Sequence, residues 1–236
     1  MNIYIPTSNK YIHLVEALLY SLKKYWYDFD NTKVVIVGYK EPKYALPKNV
    51  LFKSIGDEDE VKNWAIDLKN YFDTVDDELF VYMNDDAALV YDLDIDLFNY
   101  LIEIAEKNDN VGRISLTKDV SNNPHEIIKE EEDFSVVELS QTSSYRLSTQ
   151  FSIWNKEYLT KYMTENMTPW EFELQSTPKN DGWRIIGIKD RYCLDFYHLW
   201  RRGGISKSWS QAVHSGVDLP EDSEYHDFIS KVIEND

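Results

Sequence analysis

Short apolar runs alternate with amphipathic segments through the first half of the sequence, and this alternation limits the possible folds more than any other feature. The runs Val34–Val37 and Leu79–Met83 contain no charged residue, which is typical of strands buried on both faces of a sheet. Between them, apolar residues from position 61 to 72 recur at the spacing of one helix face. The pattern therefore predicts an α/β fold with a mostly parallel, Rossmann-like central sheet flanked by helices.

The same pattern extends along the rest of the chain, less regularly in the second half. Further strands are predicted at Ile3–Ile5, Val50–Phe52, Val111–Leu116, Phe134–Leu139, Tyr145–Trp154, Ile185–Ile188 and Tyr192–Tyr197. Helices are predicted over residues 12–22 and 98–105, and others should begin at the helix-capping residues Asn155 and Thr168. The acidic tail from Asp218 predicts a surface helix or a frayed end. No repeat or linker is visible, so we expect a single domain over residues 1–236.

Charge and cysteine content narrow the functional classes. Forty-two acidic residues against 25 basic ones give a formal net charge of −17, a field that repels polyanions such as nucleic acid. The exception is a local excess of basic residues between Lys179 and Lys207. The single cysteine, Cys193, excludes an intramolecular disulfide, and no apolar run approaches the length of a membrane span. With no signal peptide visible at the start, we expect a cytoplasmic protein that makes no membrane contact.

Two adjacent carboxylates follow the strand predicted at Leu79–Met83. Asp85 and Asp86 stand directly after it, and ligands of open α/β sheets bind outside the carboxyl ends of the strands. Neighbouring carboxylates repel each other, and a hard divalent cation such as Mg2+ or Mn2+ relieves that repulsion. Because aspartate is also common in turns, the local motif leaves a plain turn or cap open as the alternative.

The stretch from Val61 to Leu89, with a tryptophan-bearing helix (Trp64) and then LFVYMNDDAAL, resembles GT-A glycosyltransferases, in particular small family 2-like bacterial and viral members. The resemblance implies that a nucleotide-sugar, with a UDP-sugar favoured, binds through a D-x-D-type motif. It makes Asp86 the metal ligand and places Asp85 near the sugar or ribose. Asn84 occupies the position of the first acid, a departure from the motif that bears on metal affinity.

A second part of the resemblance is the segment YRLSTQFSIWNKEYLTKYMTENMTPWEFE, and together the matching segments cover most of residues 2–205. The implied halves are a nucleotide-sugar-binding half at about 1–116 and an acceptor-binding half at about 117–236. The resembling enzymes carry an acid in a short helix that activates the acceptor hydroxyl, which points to Glu173. Glu171 and Asp85 are the other catalytic candidates, although the spacing of Glu171 from Thr168 favours a capping box.

Further site residues follow from the same resemblance. The end of the first strand would contact the donor through Pro6, Thr7 and Ser8, although a plain turn also explains the last two. A late segment would place His198 as a metal ligand or phosphate contact. Other donor-binding candidates are Trp64, Arg201, Arg202 and Lys207, since a guanidinium fork suits phosphate oxygens. Acceptor-binding candidates are Tyr145, Arg146 and Trp170, and Trp170 is alternatively a core anchor. A buried histidine in a surface loop is the competing interpretation of His198.

The sequence thus predicts a metal-assisted transfer of a sugar from a nucleoside diphosphate sugar to a hydroxyl, with Mn2+ or Mg2+ as cofactor. The favoured acceptor is a glycan, and no obligate protein partner is inferred. A hydroxymethylated base in phage nucleic acid is the alternative acceptor, which the basic cluster permits and the net charge disfavours. Nucleotidyl transfer, and a carbohydrate-binding or interaction protein without turnover, are the alternative functions, because a fold does not by itself fix the chemistry.

Overall fold

The computed structural model describes residues 1–58, 61–201, 204–210 and 222–234. The strands are β1 Ile3–Pro6, β2 Val34–Gly38, β3 Val50–Ser54, β4 Leu79–Tyr82, β5 Ala87–Leu89, β6 Val111–Ser115, β7 His125–Glu130, β8 Ser135–Leu139, β9 Ser152–Asn155, β10 Arg184–Lys189, β11 Phe196–His198, β12 Trp200–Arg201 and β13 Gly204–Ile205. The longer helices are α1 Leu14–Tyr25, α2 Trp64–Phe72, α3 Ile95–Glu106, α4 Lys156–Lys161, α5 Pro169–Leu174 and α6 Ser223–Glu234.

One nine-stranded sheet organises the described residues, in the order β3-β2-β1-β4-β9-β6-β10-β8-β7. Strands β3, β2, β1 and β4 are mutually parallel, β9 is inserted antiparallel between β4 and β6, and β8 opposes both of its neighbours. All strands of this sheet except β8 and β9 therefore share one direction. The predicted α/β class with a large, mostly parallel central sheet is confirmed.

Both faces of the sheet are covered by helices, as the apolar runs predicted. Alternate residues of β1 enter opposite cores, with Ile3 and Ile5 on one side and Tyr4 on the other. The first core is closed by α1, α3 and α6, and the second by α2, α4 and α5. Gly112 in β6 permits a close approach of α4, because a Cβ there would lie 2.4 Å from the Tyr158 ring. None of the described helices has the length and apolarity needed to cross a bilayer.

Both helix starts predicted from capping residues are found in the structure. The Asn155 side chain accepts a hydrogen bond from the backbone N–H of Tyr158 at 3.2 Å. Thr168 and Glu171 form a reciprocal capping box, with the Glu171 N–H donating to Thr168 Oγ1 at 3.2 Å and the Thr168 N–H donating to Glu171 Oε2 at 2.8 Å. These bonds satisfy backbone donors that a helix start otherwise leaves without partners.

Three features differ from the predictions. The alternating segment Tyr145–Trp154 is a strand only at its end, in β9, because the loop before it bonds to side chains and not to a neighbouring strand. The strand predicted at Tyr192–Tyr197 is shorter and later, as β11. The tail was predicted as a surface helix or a frayed end: its described residues form the helix α6, but this helix buries Tyr225 and Ile229 against the α1 side of the core, and Asp218 itself lies outside the described residues.

Candidate active site

The polar loops at the carboxyl ends of β1 and β4 meet at one edge of the sheet. Because β1 and β4 are parallel neighbours, Pro6 at the end of β1 lies beside the segment that follows β4. The Thr7 side chain and the Ser8 backbone lie close enough to the Asp85 carboxylate to lower its pKa, and the Thr7 hydroxyl donates to the Ser8 carbonyl at 3.3 Å. Thr7 is itself nearly buried. Parallel pairing therefore brings the predicted donor-site residues Pro6, Thr7, Ser8 and Asp85 together.

The Asp85 carboxylate is electrostatically costly in its charged form. Burial, and next the neighbouring Asp86 carboxylate, raise the pKa of Asp85 to about 8, while the Thr7 side chain and the Ser8 backbone act in the opposite direction. A positive charge at this edge would offset both causes. The acidic strand end is thus a site whose electrostatics favour a cationic or proton-donating ligand.

The small sheet of β5 and β11 brings His198 to Asp86. The two strands pair antiparallel with His198 opposite Ala87, and the Leu199 N–H donates to the Asp86 carbonyl at 2.7 Å. His198 Nδ1 lies 3.5 Å from Asp86 Oδ1. This nitrogen is buried and has no hydrogen-bond partner among the described residues. The structure therefore assembles the two residues that the resemblance implied as metal ligands.

These two side chains fit a divalent cation that takes most of its ligands from elsewhere. Among the described residues, no group of three or more His, Cys, Asp or Glu side chains is arranged to hold a metal by itself. Mg2+ and Mn2+, however, are commonly bound by one or two carboxylates together with substrate phosphates and water. Asp86 fits that donor set, and the unpartnered His198 nitrogen suits a transition metal such as Mn2+ better than Mg2+.

Several other buried polar atoms at this edge also have no partner in the described part of the chain. They are Ser8 Oγ, Asn9 Oδ1, His13 Nε2, Asn84 Oδ1 and Trp200 Nε1. Contacts connect the elements that carry these atoms. Ser8 lies near Asp85, and Asp86 lies beside His198. The segment after His198 contains Trp200, whose indole lies edge-on 6.3 Å from the His13 imidazole. Buried polar groups normally have partners, so these atoms are available for hydrogen bonds to a polar ligand.

Glu173 lies near the same edge, on α5. Its Oε1 accepts hydrogen bonds from the Thr149 N–H at 2.6 Å and the Thr149 hydroxyl at 2.7 Å. Burial, and next the negative charges of Asp85 and Glu173, raise the pKa of the Tyr82 hydroxyl at the end of β4. The carboxylates of Asp85 and Glu173 therefore both lie close enough to the Tyr82 hydroxyl to raise its pKa. Glu171, by contrast, has its carboxylate engaged in the capping box, which leaves Glu173 as the acid of α5 that faces the site.

The predicted acceptor residues have different surroundings. Arg146 is fully buried and its Nη2 donates to Asp181 at 2.8 Å and to the Trp183 carbonyl at 2.7 Å, so the prediction that it reaches an acceptor is wrong. Tyr145 is 44% exposed, in a left-handed conformation with φ of 60°. Trp170 is 72% exposed, so its interpretation as a core anchor is wrong and a role as an exposed platform stays a prediction.

The remaining donor-site candidates make no described contact with the acidic strand end. Trp64 begins α2 and its ring packs edge-on against Phe172 at 5.7 Å, which makes it a support for α5. Arg201 and Lys207 are exposed, and Arg202 lies outside the described residues. Arg201 follows Trp200 in β12, but no described contact joins the side chain of Arg201 or Lys207 to Asp85 or Asp86, and their contact with a donor stays a prediction.

Two guanidinium groups of the basic cluster between Lys179 and Lys207 are paired with carboxylates. Arg184 Nε pairs with Glu138 at 2.7 Å. Arg191 pairs with Asp94 at 2.6 Å and with Asp133 at 2.8 Å. Because these two groups already face carboxylates, they contribute less positive charge toward nucleic acid than the sequence indicates.

Sequence reasoning missed some residues at this edge. His13, Tyr82, Thr149 and Trp200 were not singled out as site residues. Tyr82 could have been found, since it stands at the end of a buried strand three residues before Asp85. His13, Thr149 and Trp200 carry no local signal, because only the packing of distant segments brings them to the acidic edge.

Comparison with known proteins shows similarity in fold and not in sequence. No protein-family model matches the chain, and no curated protein matches it in sequence. The structure of HddC from Yersinia pseudotuberculosis superposes with a TM-score of 0.50 and 13% identity, covering 91% of this chain and 99% of HddC. This likeness supports the GT-A-like α/β fold that the resemblance implied.

Two structures of S. aureus TarS also superpose on the chain. TarS 1–349 gives a TM-score of 0.48 at 13% identity and covers 99% of this chain and 69% of that one. A longer TarS chain gives a TM-score of 0.49 at 14% identity, covering 98% of this chain and 42% of TarS. The chain therefore spans less than half of that longer TarS chain.

Proposed function

We propose that this protein is a glycosyltransferase that moves a sugar from a nucleoside diphosphate sugar, with a UDP-sugar favoured, to a hydroxyl acceptor with the help of a divalent cation. The observation that carries the proposal is the meeting of Asp86 and the unpartnered His198 nitrogen at the carboxyl edge of β4. This edge is where open α/β sheets bind their ligands. The fold similarity to HddC supports the α/β fold in which this edge lies.

The donor site is formed by the ends of β1 and β4. Thr7 and Ser8 lie against the Asp85 carboxylate, which would accept a hydrogen bond from a ribose or sugar hydroxyl. Asp86 and His198 would hold Mn2+ or Mg2+, and the bound cation supplies Lewis-acid stabilisation of the departing diphosphate. The partnerless Ser8 hydroxyl and Trp200 indole N–H supply hydrogen bonds for ligand oxygens, since an indole nitrogen can only donate.

The reaction joins the acceptor oxygen to the anomeric carbon and breaks the bond between that carbon and the diphosphate oxygen. In an inverting transfer, Glu173 accepts the proton of the acceptor hydroxyl as the new bond forms. In a retaining transfer, the same carboxylate orients the acceptor. The acceptor lies against α5, where the exposed Trp170 ring offers an apolar face for a sugar.

A glycan fits this surface better than nucleic acid does. The sequence left a hydroxymethylated base open because of the basic cluster, but Arg184 and Arg191 are paired with Glu138, Asp94 and Asp133. With a formal net charge of −17 as well, little positive surface is available for a phosphate backbone. We therefore propose a glycan as the acceptor.

The test measures nucleoside diphosphate release from a panel of nucleotide-sugars in Mn2+, Mg2+ or EDTA, with water as the acceptor. We expect release from one donor, abolished by EDTA and reduced about 100-fold or more in Asp86→Ala, because a group that stabilises transition-state charge is lost. Asp109→Ala is the matched control, since this exposed acid lies in the turn before β6. It should retain wild-type release.

Other outcomes would identify the rival functions. Release of pyrophosphate from a nucleoside triphosphate and a sugar phosphate, with no release from nucleotide-sugars, would indicate nucleotidyl transfer. A thermal shift by sugar that persists in Asp86→Ala, without turnover, would indicate a binding protein. Silence across the panel, with no thermal shift by any nucleotide-sugar, would contradict the donor-site assignment.

A further inference from the structure

The loop before β9 makes an unusual set of contacts with the proposed acceptor acid. Thr149 donates both its backbone N–H and its hydroxyl to the same oxygen of Glu173, at 2.6 and 2.7 Å. The Thr149 side chain is nearly buried, so it exchanges little with water. Two donors on one carboxylate oxygen fix both the position of the group and the plane in which its other oxygen lies.

The loop itself is anchored by a buried arginine. Arg113 on β6 is 1% exposed, and its Nη1 donates to the Ser148 carbonyl at 3.0 Å and to Asp119 Oδ2 at 2.8 Å. Its guanidinium also lies over the Trp154 ring, 5.8 Å from the centroid. The carbonyl that Arg113 holds belongs to the residue just before Thr149. The sheet interior is thus connected to Glu173 through a single short loop.

The helix that carries Glu173 is too short to fix this side chain alone. Helix α5 has six residues, Pro169–Leu174, and is attached to the core mainly through Phe172 against Trp64 and Trp154. The capping box restrains the start of the helix, through Thr168 and Glu171. The Glu173 carboxylate therefore depends on a partner outside its own helix, and Thr149 supplies it.

We propose that Thr149 is a positioning residue for the transfer reaction, holding the Glu173 carboxylate toward the acceptor hydroxyl. This inference rests on the proposed function, because it takes Glu173 as the group that accepts or orients the acceptor proton. Thr149 touches neither donor nor acceptor in this scheme. Its effect on the rate passes through Glu173, since a reacting group displaced by a fraction of an ångström loses much of its advantage.

The experiment uses the donor identified by the nucleotide-sugar panel and compares Thr149→Val with Thr149→Ser. Valine keeps the shape and the backbone N–H but removes the hydroxyl, whereas serine keeps the hydroxyl. We expect Thr149→Val to lower kcat about tenfold or more, with the KM for the donor unchanged, because hydrogen bonds to charged groups are the stronger class. Thr149→Ser should recover most of the rate.

A double-mutant cycle distinguishes positioning from a structural role. In the Glu173→Gln background, Thr149→Val should cost less than twofold, because the group through which it acts is already lost. Thr160→Val is the matched control: this buried threonine donates to the Lys156 carbonyl at 3.0 Å inside α4 and has no link to Glu173. It should leave kcat at the wild-type value.

The outcomes separate this inference from the proposed function. Equal losses from Thr149→Val in the wild-type and Glu173→Gln backgrounds would overturn the positioning role while leaving the glycosyltransferase assignment intact. Full activity in Glu173→Gln would overturn both the role of Glu173 and that of Thr149, but not the donor site. Absence of donor turnover in the wild-type protein would overturn the proposed function itself and this inference with it.

Discussion

Two polar clusters at the sheet differ in how their charges are balanced. In the interior, Arg146 faces Asp181 at 2.8 Å and Arg113 faces Asp119 at the same distance. At the carboxyl edge of β4, Asp85 and Asp86 stand side by side, and no arginine or lysine forms an ion pair with either within the described part of the chain. The interior clusters are electrostatically complete without a ligand, whereas the strand edge is not.

This difference indicates which polar residues support the fold and which serve a ligand. Buried charges are retained in a fold when they are paired and hydrogen-bonded. Arg146 meets that condition through the Trp183 carbonyl as well as Asp181. His198 Nδ1 and Asn84 Oδ1 do not, because neither has a hydrogen-bond partner among the described residues. Since Arg146 Nε and Arg113 Nε also have no partner among the described residues, it is the pair of neighbouring carboxylates without a basic ion-pair partner that distinguishes the candidate active site.

The largest effect on stability should come from breaking an interior pair. Arg146→Met leaves Asp181 buried without its cation, and we expect a loss of about 3–5 kcal/mol in the free energy of unfolding. Urea unfolding measures it. Arg184→Met is the control, because its pair with Glu138 is partly exposed, and it should lose about 1 kcal/mol or less. Equal losses in the two variants would contradict the view that Arg146 is an interior support.

Removing a charge at the strand edge should stabilise the protein, in contrast to removing a charge from an interior pair. Folding raises the pKa of Asp85 from 3.8 to about 8, so the charged form is disfavoured in the folded protein and wild-type stability should fall as pH rises between these values. Asp85→Asn removes this penalty and should stabilise the protein by about 2 kcal/mol at pH 8, a modest figure because solvent screens a half-buried group.

Unfolding in EDTA at a series of pH values tests this prediction. The stability gap between Asp85→Asn and the wild type should widen as the pH is raised from about 5 to about 8. Asp109→Asn, at an exposed turn, should show no such widening. A gap that stays constant with pH, or a variant less stable than the wild type at pH 8, would show that the carboxylate is not under electrostatic strain.

The smallest effect is expected at the capped start of α5. Thr168→Ala removes the hydroxyl that accepts from the Glu171 N–H, and we expect a loss of about 1 kcal/mol in the free energy of unfolding. Thr164→Ala, at an exposed position of the preceding loop, is the control and should be nearly neutral. If both variants are neutral, the capping box contributes nothing measurable and Glu171 is not explained by its structural role.

Much of the fold was predictable because its signals are local. Continuous apolar runs gave the buried strands β2 and β4, and Asn155 and Thr168 marked helix starts through hydrogen bonds that span only three residues. The exceptions are informative. Residues 145–151 alternate like a strand, but the Ser148 carbonyl and the Thr149 N–H bond to Arg113 and Glu173, which no local pattern reveals.

The candidate site was only partly predictable for the same reason. Asp85 and Asp86 follow a buried strand, so the sequence alone placed them at a sheet edge. Arg146 was misassigned because the sequence does not show that Asp181 and the Trp183 carbonyl surround its guanidinium. The sequence left Trp170 open between an acceptor-binding residue and a core anchor, and the face of α5 that enters the core carries Phe172 instead.

The sequence by itself determined the α/β class, the acidic strand end and the capped starts of α4 and α5, because each depends on periodicity or on hydrogen bonds between near neighbours. Only the tertiary structure decided that His198 lies beside Asp86, that Thr149 holds Glu173, and that Arg146 is buried in an ion pair. Those outcomes depend on contacts between segments far apart in the chain. The energy of such a contact depends on which side chains become neighbours after folding, and no local sequence pattern records that.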